Sequence, residues 1–288
     1  MIPASFDYVA PESVADAVAA LAADEDAKVL AGGQSLLPVL RLRLSYPTVL
    51  VDLRRIPDLR GVCEEDGHLV IGAMTRHSDV VDDPLVRRHA ALVAEATATV
   101  ADPAVRHRGT FGGALAHADP AGDLAAVAVA LDAELVAEGP GGRRTIPASQ
   151  FFQDYLQTAL SPDELLVQVR IPKLEGTWGV HYEKFNRVSQ AWAIVGVAVA
   201  VRRDGGTIGE ARVGLTNMGS TPVRASAVED ALRGVPAEAG AIAEAASHAA
   251  DGTSPPEDLG GRADYRRHLA QVLTRRAVTK AAGLSPVA

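Results

Sequence analysis

At 288 residues and a net charge of −8, the chain can bury a sizeable core, and its acidity excludes generic nucleic-acid binding, which needs a basic face. Apolar residues make up 48% but aromatics only 4%, so the core must be built mainly from Ala, Val and Leu. The single cysteine, Cys63, excludes a disulfide framework and an iron–sulfur thiolate set within this chain, leaving redox chemistry to an organic cofactor or a partner.

The N-terminal MIPASFDYVAPES lacks the basic and apolar regions of a signal peptide, and the apolar run 191–201 is too short to span a bilayer. A cytoplasmic protein that is not integral to a membrane is expected. Residues 13–23 have helical spacing with Ser13 placed as the cap. KVLAG and TVLVDL read as strands around LLPVLRLRL, a β-α-β-like opening. Asp66-Gly67 marks a hairpin over 61–74. Residues 84–101 read as one helix delivering the chain to a second glycine-rich stretch. A buried run over 124–138, a loop GPGGRRT and a strand ELLVQVRIP follow. Pro172 and LEGTWG mark a seam. Beyond it, VHYEKF, VGVAVAV and EARVGLTN describe an antiparallel meander, and the remainder is helical apart from a DGTSPPEDLGG linker. The fold class is α+β in two halves, 1–175 (with parts of about 1–55 and 56–175) and 176–288.

Two stretches share a grammar: AGGQSLLP (31–38) and TFGGALAHADPAGD (110–123). A glycine pair exposes successive amide N–H groups that can bind an anion, with Ser35 and Thr110 offering hydroxyls. A turn with glycine at positive φ would explain either one alone. Neither fits a Rossmann or P-loop signature, and Pro38 is expected to interrupt any long helix after the first. His117, Asp119 and Asp123 fall short of a metal-ligand set, so no metal is expected.

Together with FDYVAPESVADAV, VDLRRI, IGAMTRH, ELLVQVRIP, YEKF and GLTN, these stretches resemble the FAD-binding medium subunit of the molybdenum hydroxylases, the xanthine dehydrogenase and aerobic carbon monoxide dehydrogenase family. The resemblance implies a two-part FAD-binding module of the vanillyl-alcohol-oxidase type, then a C-terminal domain of a three-stranded antiparallel sheet with helices. It implies that Ala31, Gly32, Gly33, Gln34, Ser35 and Leu36 cradle the pyrophosphate, and that Thr110, Phe111, Gly112, Gly113 and Ala114 form a second phosphate and ribityl contact. By the same resemblance Asp123 bonds ribityl or ribose hydroxyls, Leu166 lines the flavin pocket, Lys184 sits near the pyrimidine edge, and Trp192 lies over the ring. Gln34 and Ala114 depart from the AGGHS and TIGGN of carbon monoxide dehydrogenases and look closer to N-heteroaromatic hydroxylases of the quinoline and nicotine type.

The implied function is electron transfer: partner [2Fe-2S] clusters deliver electrons to FAD, which passes them to an external acceptor. The substrate is oxidised at a partner's molybdenum cofactor, and this chain needs no catalytic residue of its own. The implied partners are a large molybdenum-cofactor subunit and a small subunit with two [2Fe-2S] clusters, in a dimer of heterotrimers. A self-sufficient flavin oxidase, or an assembly module that has lost FAD, are the alternatives. Residues 262–288 carry Arg262, Arg266, Arg267, Arg275, Arg276 and Lys280 against one acid, Asp264, which is either a solvated face or a docking surface for an acidic partner.

Overall fold

The structure, a computed structural model, describes residues 2–285; positions 286–288 of the expected second half lie outside the described residues. Three sheets are stacked with helices between and around them. The first holds β1 (Asp7–Val9), β2 (Lys28–Leu30) and β3 (Val49–Asp52), all parallel, in the order β1-β3-β2. The second is antiparallel. Its strands β4 (Val62–Glu65), β5 (His68–Gly72), β6 (Glu134–Gly139) and β7 (Gly142–Pro147) join β10 (Leu165–Pro172) in the order β4-β5-β10-β6-β7. A small hairpin of β8 (Phe152–Asp154) and β9 (Gln157–Thr158) precedes β10. The third is the meander β11 (Trp178–Phe185), β12 (Val195–Asp204), β13 (Thr207–Thr216) and β14 (Val223–Arg224).

Several local expectations hold. Ser13 accepts a hydrogen bond from the Asp16 amide at the start of the helix Val14–Ala22. Asp66 and Gly67 turn the β4-β5 hairpin, both at positive φ. Others are corrected. Residues 84–101 are two helices, Pro84–His89 and Ala91–Ala98, broken where Ala90 leaves helical backbone (φ −145°, ψ 51°). Pro38 sits in the first turn of the helix Leu36–Arg41, where its missing N–H costs nothing, and that helix is only six residues long, so no long helix follows the first stretch. Most of the GPGGRRT stretch is strand β7 rather than loop, and the meander gains a two-residue fourth strand.

Three apolar cores separate the layers. Strand β10 serves two of them: Leu165 and Val167 join Ala17, Leu21 and Val51, while Leu166, Val169 and Ile171 join Ile71, Leu115 and Leu124 on the other face. A bulge between Leu166 and Gln168 makes this possible, because one extra residue flips the strict two-residue alternation. In β12, Val195, Val197, Val199 and Val201 face the C-terminal helices, while Ala198 and Ala200 face the helices that lie over the second sheet. Small residues on that side let the helix Asp123–Ala130 lie close, and it is this packing that brings Lys184 of β11 to the second glycine stretch.

Candidate functional site

The first glycine stretch follows β2 directly. Gly33 takes φ +74°, and the N–H groups of Gly32, Gly33, Gln34 and Ser35 donate to no backbone carbonyl among the described residues. Four successive free amides in one tight loop form an anion-binding concavity. The Gln34 side-chain Nε2 folds back and donates to the Gly32 carbonyl at 3.2 Å. Ser35 makes no capping bond to the helix that follows, leaving its hydroxyl free.

The second stretch is built the opposite way. Thr110 caps the helix Phe111–His117, its Oγ1 accepting from the Gly113 amide at 3.2 Å. The amides of Phe111, Gly112 and Ala114 donate to the carbonyls of Thr75, Ala73 and Thr110. So the expected second set of ligand-facing amides is corrected: these donors are used within the fold. Phe111 is 1% exposed and belongs to the core, so it does not face the cleft. The first stretch touches the backbone just ahead of the second, and the second touches the chain after β5. A Cβ on Gly32 would lie 2.5 Å from the Arg108 carbonyl oxygen, and one on Gly112 would lie 2.5 Å from the Ala73 Cβ. Glycine is demanded here by close approach as well as by turn geometry.

Between the stretches lies an apolar cavity of about 70 Å³ whose walls include Ala31, Ala73, Gly112, Gly113 and Leu166. A larger, open cavity of about 550 Å³ is walled by Thr99, Asp102, Arg106, Lys184, Ser189 and Gln190. Lys184 is nearly buried there. Its Nζ donates to Asp123 Oδ2 at 2.8 Å and to the Thr99 carbonyl at 3.2 Å.

Asp123, 4% exposed, also accepts from the Tyr182 hydroxyl at 2.7 Å. Burial pushes the Asp123 carboxyl above its ordinary range, and the Lys184 ammonium opposes that. Burial also raises the Tyr182 phenol well above its usual value, so it stays a donor. Both Asp123 oxygens are therefore engaged by protein groups. Asp123 thus anchors Lys184 in place.

Trp192 is 52% exposed on the loop between β11 and β12, its ring 6.3 Å from that of His117 and tilted by 44°. Burial lowers the His117 pKa, with Asp119 working against it. Among the described residues no group of three or more His, Cys, Asp or Glu is placed to hold a metal ion, and no helix is long and apolar enough to cross a membrane.

Sequence reasoning missed three residues. Tyr182 packs in the core and its hydroxyl also donates to Asp123. Arg266 was counted in a basic face and is 1% exposed, bonded to the Ile194 carbonyl and to Asp258. His77, 3% exposed, packs beneath Gly109 with Nδ1 unpartnered, and burial lowers its pKa to about 4. The YEKF alternation could have flagged Tyr182, since it and Lys184 share one face of the strand.

The cleft suits an extended, pyrophosphate-bearing cofactor: free amides for an anion, small residues for close approach, and a buried cation beside a large cavity. Comparison with known proteins agrees. The family described as the FAD binding domain in molybdopterin dehydrogenase matches residues 4–174, and the CO dehydrogenase flavoprotein C-terminal domain matches 180–281. The carbon monoxide dehydrogenase medium chain of Hydrogenophaga pseudoflava is 43% identical over 282 residues, 98% of each chain. The nicotine 6-hydroxylase medium subunit of Paenarthrobacter nicotinovorans is 38% identical, covering 95% of this chain and 96% of that one. The structure of quinoline 2-oxidoreductase from Pseudomonas putida 86 superposes with a TM-score of 0.94 at 35% identity, over 98% of this chain and 99% of that one. The chain belongs to the family of FAD-binding medium subunits of the molybdenum hydroxylases, the flavoprotein components of multi-subunit oxidoreductases.

Proposed function

We propose that FAD lies along the cleft with its pyrophosphate on the amides of Gly32, Gly33, Gln34 and Ser35. The run of four free N–H groups carries this reading. Ala31 and Leu36 flank that cradle. Thr110, Gly112, Gly113 and Ala114 form the opposite wall by shape rather than by amide donation, and Leu166 closes the apolar cavity. Lys184 presents a fixed positive charge to the larger cavity, held there by Asp123, and Trp192 covers the ring. When bound, FAD supplies the chemistry of taking electrons from [2Fe-2S] clusters of a small partner subunit and giving them to an external acceptor. This chain's own part is to bind, orient and set the charge around the group. It contributes no acid–base step.

The substrate belongs to the molybdenum cofactor of a large partner subunit, either carbon monoxide or an N-heteroaromatic compound. The full assembly is a dimer of heterotrimers in the cytoplasm. The test is the absorbance spectrum of the purified complex beside that of a Gly33→Val complex, in which a β-branched residue at φ +74° reorients the free amides. Flavin bands lost in the variant, with iron–sulfur absorption retained, support the cradle. Flavin bands of equal height in a folded variant, or none in the parent complex, overturn it. Dissociating the small subunit should remove the iron–sulfur absorption and leave the flavin with this chain.

A further inference from the structure

The GLTN stretch ends with a residue that the reading above does not use. Asn217 follows β13, is 7% exposed, and takes φ +62°, a left-handed backbone that Asn tolerates better than most side chains. In that conformation its two ends serve different partners. The backbone N–H donates to the Pro120 carbonyl at 2.8 Å, inside the tail of the second glycine stretch. The side-chain Nδ2 donates to the carbonyls of Ala193 at 2.8 Å and Ile194 at 3.3 Å.

The Ile194 carbonyl also accepts from Arg266 Nη1 at 2.5 Å, and that guanidinium is held in turn by Asp258 at 2.5 Å. The Ile194 N–H donates to the Phe185 carbonyl at 2.8 Å, closing residues 186–193 into a loop. This loop carries Trp192 and the Asn186, Ser189 and Gln190 that wall the larger cavity. Its own burial is slight, with Val188 64% and Trp192 52% exposed. Little apolar contact holds it down, so its position depends on the bonds at its base.

We infer that Asn217, backed by Arg266, is the positioning residue that pins the Trp192 loop to the 117–122 segment and so fixes the cover over the flavin ring. The inference rests on the proposed placement of that ring beneath Trp192. A strand-end turn alone would need only the left-handed backbone, which glycine supplies. The side-chain bonds to Ala193 and Ile194 are the part that turn geometry does not explain.

Asn217→Gly separates the two, because it keeps the backbone and the bond to Pro120 and removes only the pin. In the complex, in a Trp178→Phe background so that Trp192 is the sole indole of this chain, the variant should shift Trp192 emission and release FAD about tenfold faster, through loss of the two buried side-chain hydrogen bonds at the loop base. In Trp192→Ala the same substitution should add little, since both changes disable one device. Arg266→Lys, which keeps the charge and one donor, should give the same shift in weaker form and serves if the glycine variant does not fold. Unchanged emission and FAD release, or effects that simply add in the double variant, overturn the pin. If the parent complex holds no FAD, a shifted emission still supports the pin and only the flavin placement fails.

Discussion

The two glycine stretches look alike as sequence and are wired in opposite ways. The first leaves its amides from Gly32 to Ser35 free and its serine uncapped; the second returns every amide from Phe111 to Ala114 to the protein and uses its threonine as a cap. On the proposed placement of FAD, one is a receptor and the other a strut. The contrast teaches that a glycine pair after an apolar run says only that backbones come close. Whether the amides face a ligand depends on what else lies within reach of them. For the second stretch that is the Ala73–Thr75 segment, for which the first has no counterpart.

The comparison predicts that substitutions on the strut side cost stability, whereas those on the receptor side cost cofactor. The largest effect should come from Lys184→Met, which leaves the buried Asp123 carboxylate without its cation. Unfolding of the chain in urea should show a loss of about 3–5 kcal/mol. A loss below about 1 kcal/mol would mean that the pair is not buried as described.

Next is an acid effect from His77, beneath Gly109. Its folded pKa of about 4 lies below its unfolded value, so the unfolded chain binds the proton more readily. The stabilising contribution is complete above about pH 6.5 and falls as pH drops toward 4, by about 3 kcal/mol in all. His77→Leu should flatten that acid limb in denaturation measured across the range. An unchanged slope would place the titration elsewhere.

Thr110→Val removes the helix cap and should cost about 1 kcal/mol in thermal or urea unfolding. Ser35→Ala is the smallest in stability, within about 0.5 kcal/mol, because the hydroxyl has no internal partner. Its effect should appear as weaker FAD retention on gel filtration of the complex. Equal destabilisation by Thr110→Val and Ser35→Ala would break the distinction between receptor and strut.

Much of this was legible from residues alone. The Ser13 cap, the Asp66-Gly67 hairpin and the β11–β13 meander rest on local rules that operate within a few positions. The motif set carried the family, and with it the cofactor. Where the reading failed, the deciding partner was distant in sequence. Arg266 looks like one more surface cation until the Ile194 carbonyl, 72 positions away, and Asp258 close it in. Nor could a local reading see that Asp123 bonds Tyr182 and Lys184, some 60 positions away.

The sequence by itself determined most of the elements, the presence of two glycine stretches, and the family to which the chain belongs. The elements and the family follow from local rules and from patterns that one stretch can hold, whereas the close approaches that demand glycine at 32 and 112 come from segments far apart in the chain. Only the tertiary structure decided which amides remain free, which charges are buried and paired, and that a single asparagine bonds both the Pro120 carbonyl and the base of the Trp192 loop. Those outcomes depend on how strands far apart in the chain are stacked, and on which polar groups that stacking leaves without a partner.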